Sequence, residues 1–222
     1  KKIASTKKPI IISTGMSSLQ EIEKTFYAAK SYGAKNISLL YCVSNYPSKI
    51  SDFNLNNIKI MKKKFKCEIG FSDHSNDFRI PSAAVSIGAT IVEKHIRLKK
   101  AKALDYEFSI DGKDIYNYKK NLTKFKILNK DQKFSKLIFG KKVFFRNKSE
   151  NSSKLFRRSI FVVKNIKKGE FFTTKNIKNI RPGNGISPEY YYKILGKKCQ
   201  LNIKKNEPFT KKLISKNQIK LS

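Results

Sequence analysis

Residues 9–13 read Pro-Ile-Ile-Ile-Ser, an unbroken apolar run of strand length. Such a run fits a strand buried on both faces. It breaks at Thr14-Gly15-Met16, after which Ser18 and Glu21 stand at capping-box spacing. They predict a helix through Ala28 and Ala29 that ends near Gly33. A second strand covers 36–42 and runs into Val43-Ser44-Asn45-Tyr46-Pro47. A helix near 54–65 follows, then a strand over 67–74, a short helix of small and apolar residues over 80–88, and a strand over 89–95. Four β/α steps within about a hundred residues fit part of a barrel of parallel strands, and four strands do not close one.

From about residue 113 the pattern turns helical and then rich in Lys, Asn and Ser, which predicts an outer helix followed by a linker. A different rhythm begins at Phe156. Short apolar segments (159–163 and 171–173) alternate with turns at Lys167-Lys168-Gly169-Glu170, at 181–188 and at Lys204-Lys205-Asn206-Glu207-Pro208. Short strands with frequent turns indicate a small, mostly β domain. The organisation predicted is a partial β/α barrel over 1–128, a linker over 129–155 and a small β domain over 156–222.

Composition narrows the class. Hydrophobic content of 39% with 12% aromatics fits a folded globular chain rather than a disordered one. No apolar stretch approaches the roughly 20 residues needed to span a bilayer, and no signal-peptide pattern is visible at Lys1-Lys2-Ile3. Cys42, Cys67 and Cys199 form no metal-type pairing, so free thiols in a cytoplasmic, reducing setting are expected. The net charge of +33 raises nucleic-acid binding. The lysines are spread along the chain and no aromatic-interleaved or zinc-finger pattern accompanies them. A diffuse solvated surface is the reading preferred, one that still attracts anionic substrates.

The chain has two histidines. His74 closes the strand over 67–74 and His95 the strand over 89–95, so a strand, helix, strand unit carries an imidazole at each carboxyl end. In parallel α/β sheets chemistry gathers at that edge. A shared metal ion or an anionic substrate is one reading; two ordinary histidines is the other.

Five segments in register resemble the sialic acid (nonulosonic acid) synthases, which include N-acetylneuraminate, legionaminate and pseudaminate synthases. They are KPIIISTGM from Lys8 to Met16, CVSNYP from Cys42 to Pro47, GFSDH from Gly70 to His74, GATIVEKH from Gly88 to His95 and RPGNGISP from Arg181 to Pro188. The resemblance implies the carboxy-terminal half of a TIM-type (β/α)8 barrel followed by an antifreeze-like (SAF) domain. It also implies condensation of phosphoenolpyruvate with an N-acetylated amino sugar, with release of phosphate. A divalent metal, expected to be Mn2+ with Mg2+ or Co2+ as alternatives, would be held by His74 and His95. Lewis-acid polarisation of the sugar aldehyde is the chemistry such an ion supplies.

The same resemblance assigns substrate contacts. Ser13 and Ser72 match phosphoenolpyruvate-binding serines, and a hydroxyl donates to phosphate or carboxylate oxygens. Tyr46 matches a substrate-pocket tyrosine, and Ser44 falls where some relatives carry a ligand-contacting Asn. Asp105 matches an aspartate that binds sugar hydroxyls. Glu93 stands beside the metal position, either supporting the metal ligands from behind, contacting substrate, or buried in an ion pair. Arg181 matches an arginine that reaches the partner's sugar site in a domain-swapped homodimer. Family barrels carry about four more strands ahead of this segment, and these supply the glutamate taken as catalytic base. No catalytic base is assignable here, and the chain alone is expected to be inactive. The alternative is a sugar-binding or scaffold module, without turnover, built on the SAF domain. Leu104-Asp105-Tyr106-Glu107-Phe108-Ser109 looks more like the pseudaminate members, whereas 181–188 looks more like the N-acetylneuraminate and legionaminate members.

Overall fold

A computed structural model describes residues 1–98, 104–125, 130–215 and 217–219. The chain divides into two compact units, Lys1–Asn151 and Ser152–Ser222.

The first unit is built on a four-stranded parallel sheet, β1 (Ile10–Ser13), β2 (Ile37–Cys42), β3 (Glu68–Asp73) and β4 (Val92–Lys94), in that order. Three helices connect the strands: α1 (Leu19–Ser31), α2 (Asn56–Phe65) and α3 (Arg79–Ser86). The expected capping box is present. Ser18 Oγ accepts from the Glu21 N–H at 3.2 Å, and Glu21 Oε2 accepts from the Ser18 N–H at 2.7 Å. A cap of this kind stabilises a helix by about 1 kcal/mol. Pro81 falls in the first turn of α3, where no intrahelical N–H is required of it.

Ile37, Leu39, Tyr41, Ile69 and Phe71 face the helices and meet Ile22, Phe26, Ile58, Met61 and Ile80 in one buried core. The opposite face would line the interior of a barrel. Leu40 there packs over Gly70, where an added Cβ would lie 2.4 Å from Leu40 Cδ2 and 2.7 Å from Ile91 O. At the β1 edge this interior face is bare: Ile11 is 58% exposed. After β4 the chain forms a parallel pair, β5 (Ile96–Arg97) with β6 (Ile110–Asp111), followed by α4 (Ile115–Asn121).

Residues 130–151, which lie in the stretch expected as a linker, belong to the first unit. They contain α5 (Gln132–Phe139), capped by Asp131, whose Oδ1 accepts from the N–H groups of Lys133 and Phe134. Phe134 and Ile138 are buried in the same core as the sheet, and Ile138 O accepts from the Leu55 N–H at 2.9 Å. Polar composition misleads here because two apolar residues four apart suffice to dock a short helix. The 80–88 helix and the 89–95 strand are present in shortened form, as α3 and β4.

The second unit pairs β7 (Ser159–Val162) with β8 (Ile177–Ile180) in antiparallel fashion and adds isolated bridges at Phe161–Pro208, Ile166–Ile203 and Phe171–Lys198. Ile160, Val162, Phe172, Ile177, Cys199 and Phe209 form its core beside the one-turn α6 (Tyr191–Ile194). Ser159 ties the 181–188 loop to β7: its Oγ donates to Pro182 O at 2.7 Å and accepts from the Gly185 N–H at 2.9 Å.

Candidate functional site

Strand register decides which residues meet at the carboxyl edge. Ser72 is the Cα partner of Cys42 on one side and of Glu93 on the other, so the three form one row on the barrel-interior face. Ser72 Oγ donates to Glu93 Oε1 at 2.6 Å. One step on, Asp73 pairs with Lys94, and the next residues are His74 and His95. Their ring centroids are 5.4 Å apart with the planes at 62°.

The hydrogen bonds settle the protonation of His74. Its Nδ1 lies 2.9 Å from Val43 O. A carbonyl only accepts, so Nδ1 carries the proton and the lone pair of the neutral ring is on Nε2. Burial pushes the His74 pKa below its ordinary value, outweighing the opposing Val43 bond, and the nearby His95 adds to the lowering. The neutral form therefore prevails near pH 7. Nε2 faces Ser72 Oγ at 3.4 Å, and that hydroxyl's proton is committed to Glu93. Two lone pairs thus converge with no hydrogen between them, an arrangement that a cation satisfies.

His95 is oriented the same way, with Nδ1 3.3 Å from Asp105 Oδ2. A metal-ligating histidine commonly gives its second nitrogen to a carbonyl or carboxylate; His74 Nδ1 donates to Val43 O, and His95 Nδ1 is turned toward the Asp105 carboxylate. With metal–nitrogen bonds of about 2.1 Å, a ring centroid sits roughly 3.2 Å from the ion, so two rings sharing one ion lie within about 6.4 Å of each other. The observed spacing fits. Among the described residues no group of three or more His, Cys, Asp and Glu side chains is gathered to hold a metal, so water or substrate oxygens would complete the shell.

An aromatic wall flanks the pair. The Tyr46 ring lies 4.3 Å from His74 and 5.1 Å from Phe108, and Phe108 meets His95 edge-on at 4.9 Å. Behind the pair is a buried polar brace. Asp73 Oδ2 accepts from Tyr118 Oη at 2.8 Å and lies 3.2 Å from Lys94 Nζ, while Asp73 Oδ1 accepts from the Ser75 N–H and Oγ–H.

The structure brings together His74, His95, Ser72, Glu93, Tyr46 and Asp105. Ser13 is exposed at the end of β1, paired in register with Leu40 and so one row away from Ser72. Ser44 is buried with its N–H 2.7 Å from Glu150 Oε1. Arg181 is exposed in the second unit, on the loop after β8. Sequence reasoning missed Phe108, Lys94, Tyr118, Arg146 and Glu150. Phe108 stands within a quoted motif but three residues after the aspartate that drew attention.

A parallel half-barrel with two imidazoles at its carboxyl edge, followed in the chain by a small β domain, defines an α/β fold of the TIM-barrel type. The chain belongs to the NeuB family, whose profile matches residues 1–133, and residues 157–215 match the SAF domain. It is similar to the pseudaminic acid synthase of Campylobacter jejuni, 36% identical over 203 residues that cover 91% of this chain and 56% of that protein. It is equally similar to the N,N'-diacetyllegionaminic acid synthase of the same species, 36% identical with 93% and 60% covered. The crystal structure of the Bacillus subtilis spore coat polysaccharide biosynthesis protein SpsE superposes with a TM-score of 0.85 at 25% identity, over 96% of this chain and 63% of that one. The chain thus spans less than two thirds of the relatives it matches. Among the described residues no helix is long and apolar enough to cross a membrane.

Proposed function

We propose that this chain carries the cation- and sugar-binding edge of a nonulosonic acid synthase. The reaction joins the enol carbon of phosphoenolpyruvate to the aldehyde carbon of an N-acetylated amino sugar. Water adds at the carbon that bears the phosphate ester, whose bond to the ester oxygen then breaks, and inorganic phosphate leaves. Relatives named as synthases for pseudaminic and legionaminic acids support the reading. The observation that carries it is the pair of imidazoles, each with Nδ1 engaged and Nε2 left to coordinate.

A divalent cation at His74 and His95, manganese by preference with magnesium or cobalt as alternatives, supplies Lewis-acid polarisation of a bound carbonyl. The chain's own residues do the rest of the work at this edge. Val43 O and Asp105 hold the two rings. Tyr46 and Phe108 wall the site and limit the approach of water. Glu93 keeps the Ser72 hydroxyl turned away from His74; Ser13 is suited to donate to phosphate or carboxylate oxygens, and Ser72 would do so by turning its hydroxyl from Glu93 to the substrate. Asp105 has a second oxygen that, among the described residues, is available to accept from a sugar hydroxyl, and Arg181 acts on the sugar from the partner of a swapped dimer. The run from Asp105 to Ser109 favours the pseudaminate type of sugar.

The test is twofold. Electron paramagnetic resonance titration should show one Mn2+ bound per chain, lost in both His74→Ala and His95→Ala. Phosphate release from phosphoenolpyruvate and a diacetamido trideoxyhexose should be absent with the chain alone. It should appear when the amino-terminal half of a full-length relative is supplied. Turnover by the 222 residues alone would sink the reading that the base lies outside them. Absence of Mn2+ binding would sink the cation site.

A further inference from the structure

We propose that Glu150 is a positioning residue for His74, acting through the backbone of the 42–46 loop. The inference deepens the proposed function, in that it rests on His74 as a cation ligand there, and it concerns a segment that sequence reading left as linker.

After α5 the chain returns across the carboxyl ends of β1 and β2 and is anchored at successive points. Asn57, fully buried on α2, holds Phe145: its Oδ1 accepts from the Phe145 N–H at 3.1 Å and its Nδ2 donates to Phe145 O at 2.7 Å. The Arg146 guanidinium spans the two strand ends. Nη1 donates to Cys42 O at 2.6 Å, Nη2 to Thr14 Oγ1 at 3.1 Å and Nε to Ser17 O at 3.2 Å. Ser149 Oγ donates to Asp52 Oδ1 at 2.9 Å and accepts from Asn45 Nδ2 at 2.8 Å. Glu150, only 2% exposed, accepts the Ser44 N–H at 2.7 Å.

Residues 42, 44 and 45 are therefore each held by this strap, and Val43 lies between them. Its carbonyl is the group that accepts the His74 Nδ1–H, while the His74 carbonyl accepts the Ser48 N–H at 3.0 Å. The peptide linking Val43 to Ser44 contains both the carbonyl aimed at His74 and the N–H aimed at Glu150. A peptide unit is planar, so fixing the direction of one group fixes the other. A bond from N–H to a carboxylate is roughly twice as strong as one between neutral groups. Glu150 thus sets the plane whose opposite face selects the His74 tautomer.

The experiment uses the full chain labelled with 15N-histidine, which gives two imidazole spin systems because the sequence has two histidines. Long-range proton–nitrogen spectra at pH about 8 report each tautomer, and Mn2+ titration is read in parallel. In the wild-type chain His74 is expected as the Nδ1–H form. Glu150→Ala should move His74 to a tautomer mixture, leave His95 unchanged and weaken Mn2+ binding about tenfold. Glu150→Gln, whose amide oxygen accepts the same N–H, should restore both readings. Should Glu150→Ala not fold, Glu150→Asp is read the same way, since it keeps the charge and withdraws it by one methylene. A wild-type His74 signature in the alanine or aspartate variant would overturn the proposal. A displaced tautomer in the variant, with no Mn2+ bound by the wild-type chain, would instead sink the cation reading and leave the positioning role standing.

Discussion

Lys94→Met tests the brace that sets the histidine pair. Asp73 and Lys94 are register partners on β3 and β4, their charged atoms 3.2 Å apart with side chains 1% and 6% exposed. Methionine keeps the length of the side chain and removes its charge. Breaking a buried pair from one side costs about 3–5 kcal/mol, because the remaining charge is left uncompensated. Asp73 would retain three donors, the Ser75 N–H and Oγ–H and the Tyr118 hydroxyl, which puts the expectation near 3 kcal/mol at the low end of that range. With a urea dependence of about 1.5 kcal/mol per molar, the first unit's midpoint should fall by about 2 M. Far-UV circular dichroism in urea reads it, and the second unit's transition serves as reference. The double variant Asp73→Asn/Lys94→Met should lose no more than Lys94→Met alone, since no unpaired charge remains. A loss within about 0.5 kcal/mol of wild type, the range of ordinary surface changes, would refute the account of the brace. Strictly additive single variants would refute the pairing.

Two further outcomes follow from the same geometry. Gly70→Ala should destabilise the first unit by about 3 kcal/mol by overpacking. Adding Leu40→Ala should not rescue it, because the new Cβ would still lie 2.7 Å from the Ile91 carbonyl oxygen. Full recovery in the double variant would count against that packing. The His74 pKa is lowered from 6.5 by burial first of all, so just below pH 6.5 the unfolded chain binds protons that the folded chain does not. Stability should be level above that pH and decline as pH falls through the folded value. His74→Asn should flatten the decline, and an unchanged slope in that variant would refute the assignment.

What could be read from the residues alone follows from locality. The strands announce themselves because a parallel sheet covered by helices needs near-continuous apolar runs, and residues 9–13 and 36–42 supply them. Ser18 and Glu21 are legible because a capping box is closed within four residues. The helix Gln132–Phe139 was not, because Phe134 and Ile138 are its only buried positions, and the turn between them mixes Ser135 and Lys136 with an exposed Leu137. Asp73, Lys94 and Tyr118 were beyond sequence reasoning for a different reason. A buried pair exists only once register places β3 beside β4 and α4 closes over them, and no local spacing encodes that meeting.

The charge of the chain carries its information in the scarcer sign. With 49 Lys and Arg against 16 Asp and Glu, a lysine is the default surface residue, while each carboxylate has abundant cations to pair with in solvent. Several carboxylates instead lie at the carboxyl edge of the sheet. Asp73 is buried in the brace, Glu93 accepts the Ser72 hydroxyl's hydrogen bond, Asp105 meets His95, Asp52 binds Ser149 and Asn45, and Glu150 holds the Ser44 N–H. Burying a carboxylate costs several kcal/mol unless it is paired or hydrogen-bonded, and the three buried ones, Asp52, Asp73 and Glu150, meet fixed N–H and O–H donors or an ammonium group. Three of the five act on loops or rings that face the histidine pair, so the anions are placed where orientation matters, whereas the lysines that dominate the composition report little about the site. A reader of such a chain does better to ask what each acidic residue is attached to than to ask what so much positive charge is for.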